Sequence, residues 1–180
     1  MKTTIRAFVA TVAATAAIGA HAATQGNVGA TNSSGTSLIT LEVGSLIVVK
    51  GLEDITLTTA GTPAGTDIAT SGTLCVGGVG FSGYSIELDS TNGGADSAVY
   101  QLSNGTDTID YLVAFDDDEN SASGVSPTAD GSIAGFTNLG TLGCTTDNAK
   151  LFVTVEAAEW ESITDTTNLT DTLTVTVSGN

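Results

Sequence analysis

Histidine and arginine are nearly missing from this chain. Its 180 residues hold one His, four Lys and Arg together, one Met, one Trp, two Pro and two Cys. Met1, Lys2, Arg6 and His21 all fall in the first 22 residues, so the remainder has no His, no Arg and only Lys50 and Lys150 as cationic side chains. Nucleophile activation and general-base work normally draw on His, Cys or Lys. Here they would fall to carboxylates and two lysines, and nothing in the pattern of twenty acids sets two of them at a working separation for glycoside hydrolysis. No enzyme and no cofactor are expected. Two lysines against twenty Asp and Glu leave a formal charge of about −18 beyond residue 22. Phosphate recognition needs Lys and Arg, so neither nucleic acid nor an anionic membrane surface is an expected partner. No apolar run reaches the roughly 20 residues that span a bilayer, so no membrane span is expected.

What the first residues do contain is a basic start, a small and apolar stretch from Ala7 to Ala20, and Ala20-His21-Ala22 ahead of Ala23. A short apolar centre with an A-x-A site reads as a secretory signal peptide over residues 1–22, with the mature chain starting at Ala23. The length beyond it suits one domain. In a chain that leaves the cytoplasm, the two cysteines, Cys75 and Cys144, form one disulfide by default. Closing a loop of near 70 residues contributes roughly 4 kcal/mol. A metal site built on the two thiols is disfavoured, because no His accompanies them and the spacing fits no zinc pattern.

Residues 23–36 are rich in Gly, Asn, Thr and Ser, which reads as a flexible extension. Beyond it, short runs of Val, Ile, Leu and Thr alternate with clusters of Gly, Asn, Asp and Ser, the pattern of an all-β sandwich or barrel. Period two is clearest in Ile39, Leu41, Val43; Tyr84, Ile86, Leu88; Ile109, Tyr111, Val113, Phe115; Leu151, Val153, Val155; and Leu173, Val175, Val177. Each set implies one buried and one wet face. Leu46–Val49 is a continuous apolar run of strand length, and residues 98–102 suit a short strand. Gly77-Gly78, Gly93-Gly94 and Asn104-Gly105 are turn signals, the last the best hairpin signal in the chain. Residues 156–163, with Trp160, suit a single helical turn.

Four stretches, taken in order, carry a family resemblance. Ile39-Thr40-Leu41-Glu42-Val43 runs into Leu46-Ile47-Val48-Val49-Lys50-Gly51-Leu52-Glu53-Asp54-Ile55. Cys75 precedes Gly83-Tyr84-Ser85-Ile86. Asp107, Ile109, Tyr111, Val113, Phe115 and Asp117 succeed each other at every second position. Cys144 precedes Asn148-Ala149-Lys150-Leu151 and a closing Leu173-Thr174-Val175-Thr176-Val177. Over residues 37–178 this order resembles pilins of the alternate and archaic chaperone–usher fimbriae and the related spore-coat-protein-U-type domains. The chain departs from that pattern in the acidic loop after Asp116 and in having Gly44-Ser45 where the family has a proline.

The resemblance implies an immunoglobulin-like sandwich, residues 46–180, that lacks its final strand. An incomplete sandwich exposes strand edges and core side chains until another strand is added. Residues 37–45 would be the donor strand, with Ile39, Leu41 and Val43 inserting into a neighbour. Leu173, Val175 and Val177 would wall the accepting groove and form the edge that a periplasmic chaperone docks on. The implied partners are identical or related pilin subunits, that chaperone and an outer-membrane usher, and the implied location is a surface fimbria serving adhesion or biofilm. Against this stands a local alternative. Gly44-Ser45 also fits a type II′ hairpin pairing residues 39–43 with 46–50 in one molecule, which would make the chain a self-contained monomeric module binding calcium or glycan.

For calcium, Asp116, Asp118 and Asn120 stand at alternating offsets within Asp116-Asp117-Asp118-Glu119-Asn120. Ser121 occupies the place of the loop glycine and Pro127 that of the bidentate Glu, so this is no EF-hand, and a solvated acidic loop is favoured. Most aromatics lie at core parity, leaving Trp160 as the exception, a cap on the sandwich or an exposed contact. Asn32, Asn104 and Asn168 each open an N-x-S/T triplet, which a Thr-rich chain produces by coincidence.

Overall fold

The computed structural model describes residues 24–95 and 97–180; the expected signal peptide lies outside them. The described residues divide into two compact units between Glu42 and Val43. In the first, Thr24 and Thr36 form an isolated antiparallel bridge, each donating its N–H to the other's carbonyl at 3.0 Å. Ile39 and Leu41 belong to no strand or helix and are 90% and 85% exposed.

The second unit is all-β apart from one helical turn. Its elements are β1 (Leu46–Lys50), β2 (Ile68–Val79), β3 (Gly83–Ser90), β4 (Gln101–Ser103), β5 (Thr108–Asp110), β6 (Leu112–Asp116), β7 (Ser132–Thr137), β8 (Ala149–Val155), α1 (Ala157–Trp160) and β9 (Leu173–Gly179). They make a sheet ordered β1-β2-β8-β6, a second ordered β7-β3-β9 and a small β4-β5 hairpin. Every ladder is antiparallel.

Alternation explains how the two sheets meet. In β8, Ala149, Leu151, Val153 and Val155 are buried and the residues between them are half-buried. In β3, Tyr84, Ile86, Leu88 and Ser90 are buried in the same rhythm. Tyr84 and Phe136 from one sheet close on Phe115 of the other, with ring centroids 6.5 and 5.0 Å from it. Edge-on aromatic pairs of this kind add about 0.5–1.5 kcal/mol each beyond burial. Cys75 on β2 and Cys144 are joined, Cα atoms 5.6 Å apart and 69 residues apart in sequence, as expected of the two cysteines.

Some expectations are corrected. Ile109 to Phe115 is not one strand. Ile109 pairs with Leu102 in the β4–β5 hairpin, Tyr111 donates its N–H to the Tyr100 carbonyl at 2.9 Å, and from Leu112 the chain pairs with β8 instead. All four apolar residues stay buried, so the period persists while the partner strand changes. The short strand expected at residues 98–102 is β4, which starts at Gln101. Gly77-Gly78 is no turn but lies inside β2. A Cβ at Gly77 would stand 2.3 Å from the Thr141 carbonyl oxygen, and one at Gly78 2.1 Å from that of Leu46, so these glycines admit crossing backbone. The Gly44-Ser45 hairpin is not formed either. β1 pairs with β2, Leu46 opposite Val79, residues 39–43 join no ladder, and the Ser45 hydroxyl donates to the Gly80 carbonyl at 2.9 Å. The Asn104-Gly105 turn does join β4 to β5, with the Asn104 Oδ1 accepting from the N–H groups of Thr106 and Asp107.

Candidate functional site: an open seam beside the last strand

β9 ends the second sheet, and its position is set by its pairing. Leu173 lies opposite Ser90 and Val177 opposite Ile86. At the ends of this ladder Thr91 donates to the Thr172 carbonyl at 3.1 Å and Asn180 to that of Gly83 at 2.7 Å. Even-numbered residues of this stretch therefore bond to β3. Successive residues of a strand aim their N–H and C=O to opposite sides. Leu173, Val175, Val177 and Gly179 consequently turn theirs to the far edge, where no strand is hydrogen-bonded to them among the described residues. The side chains of Leu173, Val175 and Val177 pack half-buried against the core. An unpaired backbone edge and an incompletely covered apolar row thus share the same three residues.

β1 ends the first sheet and faces this edge: the Cδ1 of Ile47 is 3.1 Å from where a Cβ on Gly179 would stand. Just ahead of β9 in the chain lies a cavity of about 850 Å³, lined by Ile55, Leu57, Leu102, Ile109 and Ile163 and rimmed by residues 164–170. Trp160 stands at its wall, half-buried on the core, its indole N–H donating to the Thr66 carbonyl at 3.0 Å. The Asp67 carboxylate accepts from the Ala157 N–H at 2.9 Å and so fixes α1. Asp107 accepts from the N–H groups of Asp165 and Thr164 at 2.7 and 2.9 Å, fastening the rim. Those bonds, that from Asp165 first, hold its carboxyl below the ordinary range.

Asp171 anchors the start of β9. Its Oδ2 accepts from the Tyr111 and Ser90 hydroxyls at 2.6 and 2.7 Å, and its Oδ1 from the Asn92 N–H at 3.1 Å. Partial burial opposes its ionisation, but the bonds from Tyr111, Ser90, Asn92 and Thr172 together outweigh this and lower its pKa. Burial, then the facing carboxylate, pushes the Tyr111 hydroxyl well above its usual value. Burial also raises Tyr84 strongly and Tyr100 to about 12.

The acidic loop after β6 turns its carboxylates onto backbone. Asp116 accepts from the Asp118 N–H and Asp118 from that of Asn120, both at 2.9 Å, while Asp117 accepts from the Thr137 N–H at 2.9 Å. Among the described residues no group of three or more His, Cys, Asp or Glu is set to hold a metal, and no helix is long and apolar enough to cross a membrane. Sequence reasoning does not place Ile163 and Leu169 in the seam, nor Ile55 with Leu57. The alternation Ile55-Thr56-Leu57-Thr58, continuing β1 past Gly51, is the signal that could have found the latter pair.

No protein-family profile matches the chain, and no curated protein matches it. Among solved structures it is similar to a chain described as part of a chaperone–tip adhesin complex of CFA/I fimbriae, at 13% identity and a TM-score of 0.49. The match covers 74% of this chain and 41% of that one, so this chain spans about two fifths of its length. At that level the likeness bears on neither activity nor partners.

Proposed function

We propose that this protein is a structural subunit of a bacterial surface fibre, polymerised by strand donation: residues 37–45 of one copy complete the open seam of the next. The observation that carries this reading is the outer edge of β9, where unpaired backbone groups and a half-exposed apolar row coincide on Leu173, Val175 and Val177. Ile39, Leu41 and Val43 recur at the same period of two and are 90%, 85% and 61% exposed. Burying three such side chains yields roughly 5–9 kcal/mol before ordering costs, with ladder hydrogen bonds added. Strand addition of this kind takes affinity from main-chain bonds and specificity from alternate side chains.

Before assembly the same edge needs cover, since an exposed apolar strand edge templates aggregation. A periplasmic chaperone that lends a strand, and an outer-membrane usher that exchanges it for the next subunit, meet that need. Passage through an oxidising compartment also suits the Cys75–Cys144 bridge. Adhesion or biofilm scaffolding is the role proposed for the fibre, and no catalytic one is proposed.

Size-exclusion chromatography with electron microscopy, on the chain with and without residues 23–45, tests the proposal. Multimers or filaments that vanish on deletion support it. A monomer in both forms overturns it and returns the self-contained binding module.

A further inference from the structure

We propose that in the fibre Leu46 of the donating copy seats in the Trp160 end of the acceptor's seam, making a second, apolar joint between subunits. This rests on the strand donation above and adds to it a contact outside the donated strand. Every ladder in the described residues is antiparallel, the arrangement whose bonds run perpendicular to the strands and pair somewhat more stably. An antiparallel donor sets Ile39 against Val177, Leu41 against Val175 and Val43 against Leu173, which covers the apolar row and uses each free N–H and C=O. The donor chain then leaves the seam at its Leu173 end.

The link between Val43 and the donor's own sandwich is short. Ser45 is held to that sandwich through the Gly80 carbonyl, and a Cβ at Gly44 would meet nothing within 4 Å. Leu46 lies three residues beyond Val43, about 10 Å along an extended chain. Continuing the same antiparallel register sets Leu46 opposite Thr170, which lines the cavity. Leu46 is 57% exposed and pairs across from Val79, while its neighbours Ile47 and Val49 alternate to the other face. It is thus a large apolar side chain at the first residue of β1, more than half exposed.

Charge favours this spot as well. Two copies with so many carboxylates repel each other, but the rim that Leu46 would cross is uncharged from Thr166 through Asn168 to Thr170, and the Asp165 carboxylate accepts from the N–H and hydroxyl of Thr167. A link this short, with an apolar foot on each side, constrains the angle between subunits.

Paired cysteines in the full chain test this. Leu46→Cys with Asn168→Cys is expected to give covalent ladders that survive boiling without reductant. Leu46→Cys with Asn180→Cys, at the far end of β9, is expected to give none. Ladders from the second pair alone mean parallel insertion and overturn the joint. Boiling-sensitive multimers that neither pair cross-links overturn it too. In both cases strand donation still stands, whereas the absence of any multimer removes both readings. Leu46→Asp supplies a second measure. Its monomer should melt as the parent does, while its multimers dissociate on the order of tenfold faster; unchanged dissociation contradicts the contact.

Discussion

Cutting the Cys75–Cys144 link separates two effects at one position. The bridge closes a loop across 69 residues, and in the chain-entropy account a loop of that size restricts the unfolded chain by about 4 kcal/mol. Cys75→Ala with Cys144→Ala should therefore lower the unfolding free energy by about that amount, or the melting temperature by roughly 10–15 °C at this chain length. Cys144 also has φ +42°, in the left-handed region. An L side chain there costs about 1–2 kcal/mol, and glycine escapes that cost. Replacing Cys144 by Gly rather than Ala, with Cys75→Ala in both, should restore about 1 kcal/mol. Urea unfolding of the chain lacking residues 23–45, oxidised and reduced, measures both differences without interference from polymerisation. A loss below about 1 kcal/mol, or a glycine variant no better than the alanine one, would refute the reasoning.

Leu41→Ser, at the centre of the donated triplet, removes about 1.5–3 kcal/mol of burial from each junction, so its multimers should dissociate at least about tenfold faster on heating than those of the parent while the monomer melts unchanged. The depressed pKa of Asp171 contributes stability that is present above the unfolded carboxylate value near 4 and lost as pH falls through the folded one. Asp171→Asn should cost about 1–3 kcal/mol at pH 7 and markedly less at pH 2, as read by denaturation at the two pH values; a cost independent of pH would count against the assignment. The raised tyrosines act in the opposite direction. Tyr84, Tyr100 and Tyr111 contribute fully below the unfolded value of about 10 and lose that contribution as pH rises through their folded values. Melting temperature should thus fall above about pH 10 together with the appearance of tyrosinate absorbance, and free titration of all three near pH 10 in a folded chain would contradict their burial.

Strands with one dry and one wet face were readable from residues alone. β3, β8 and β9 keep their alternation because each buries a single face, and Leu46–Val49 became β1. β2 was not readable in this way. Its second half, Leu74 to Gly78, is buried on both faces, and crossing backbone from residues 140–141 erases the period there. β7 was missed because Ile133 and Phe136 are three apart: opposite Tyr84 and Ile86 the ladder shifts register, and Gly135 at φ +96° takes up the extra residue. The seam was half legible. Leu173, Val175 and Val177 announced an apolar row, but which of their edges stayed open depended on β3 being their partner, a long-range pairing. The cavity draws on Ile55 and Leu57, on Leu102 and Ile109, and on Val155, Trp160 and residues 163–170, which only the folded topology brings together.

The central claim is that the outer edge of β9 accepts a strand from residues 37–45. Hydrogen exchange on the chain lacking residues 23–45, with and without a synthetic peptide of residues 37–45, tests it residue by residue. Thr174 and Thr176 already bond to β3 and should exchange slowly in both samples, whereas the amides of Leu173, Val175 and Val177 should be fast alone and slow by an order of magnitude or more when the peptide is bound. Unchanged exchange at those three amides, at a peptide concentration that saturates any binding, would contradict the account.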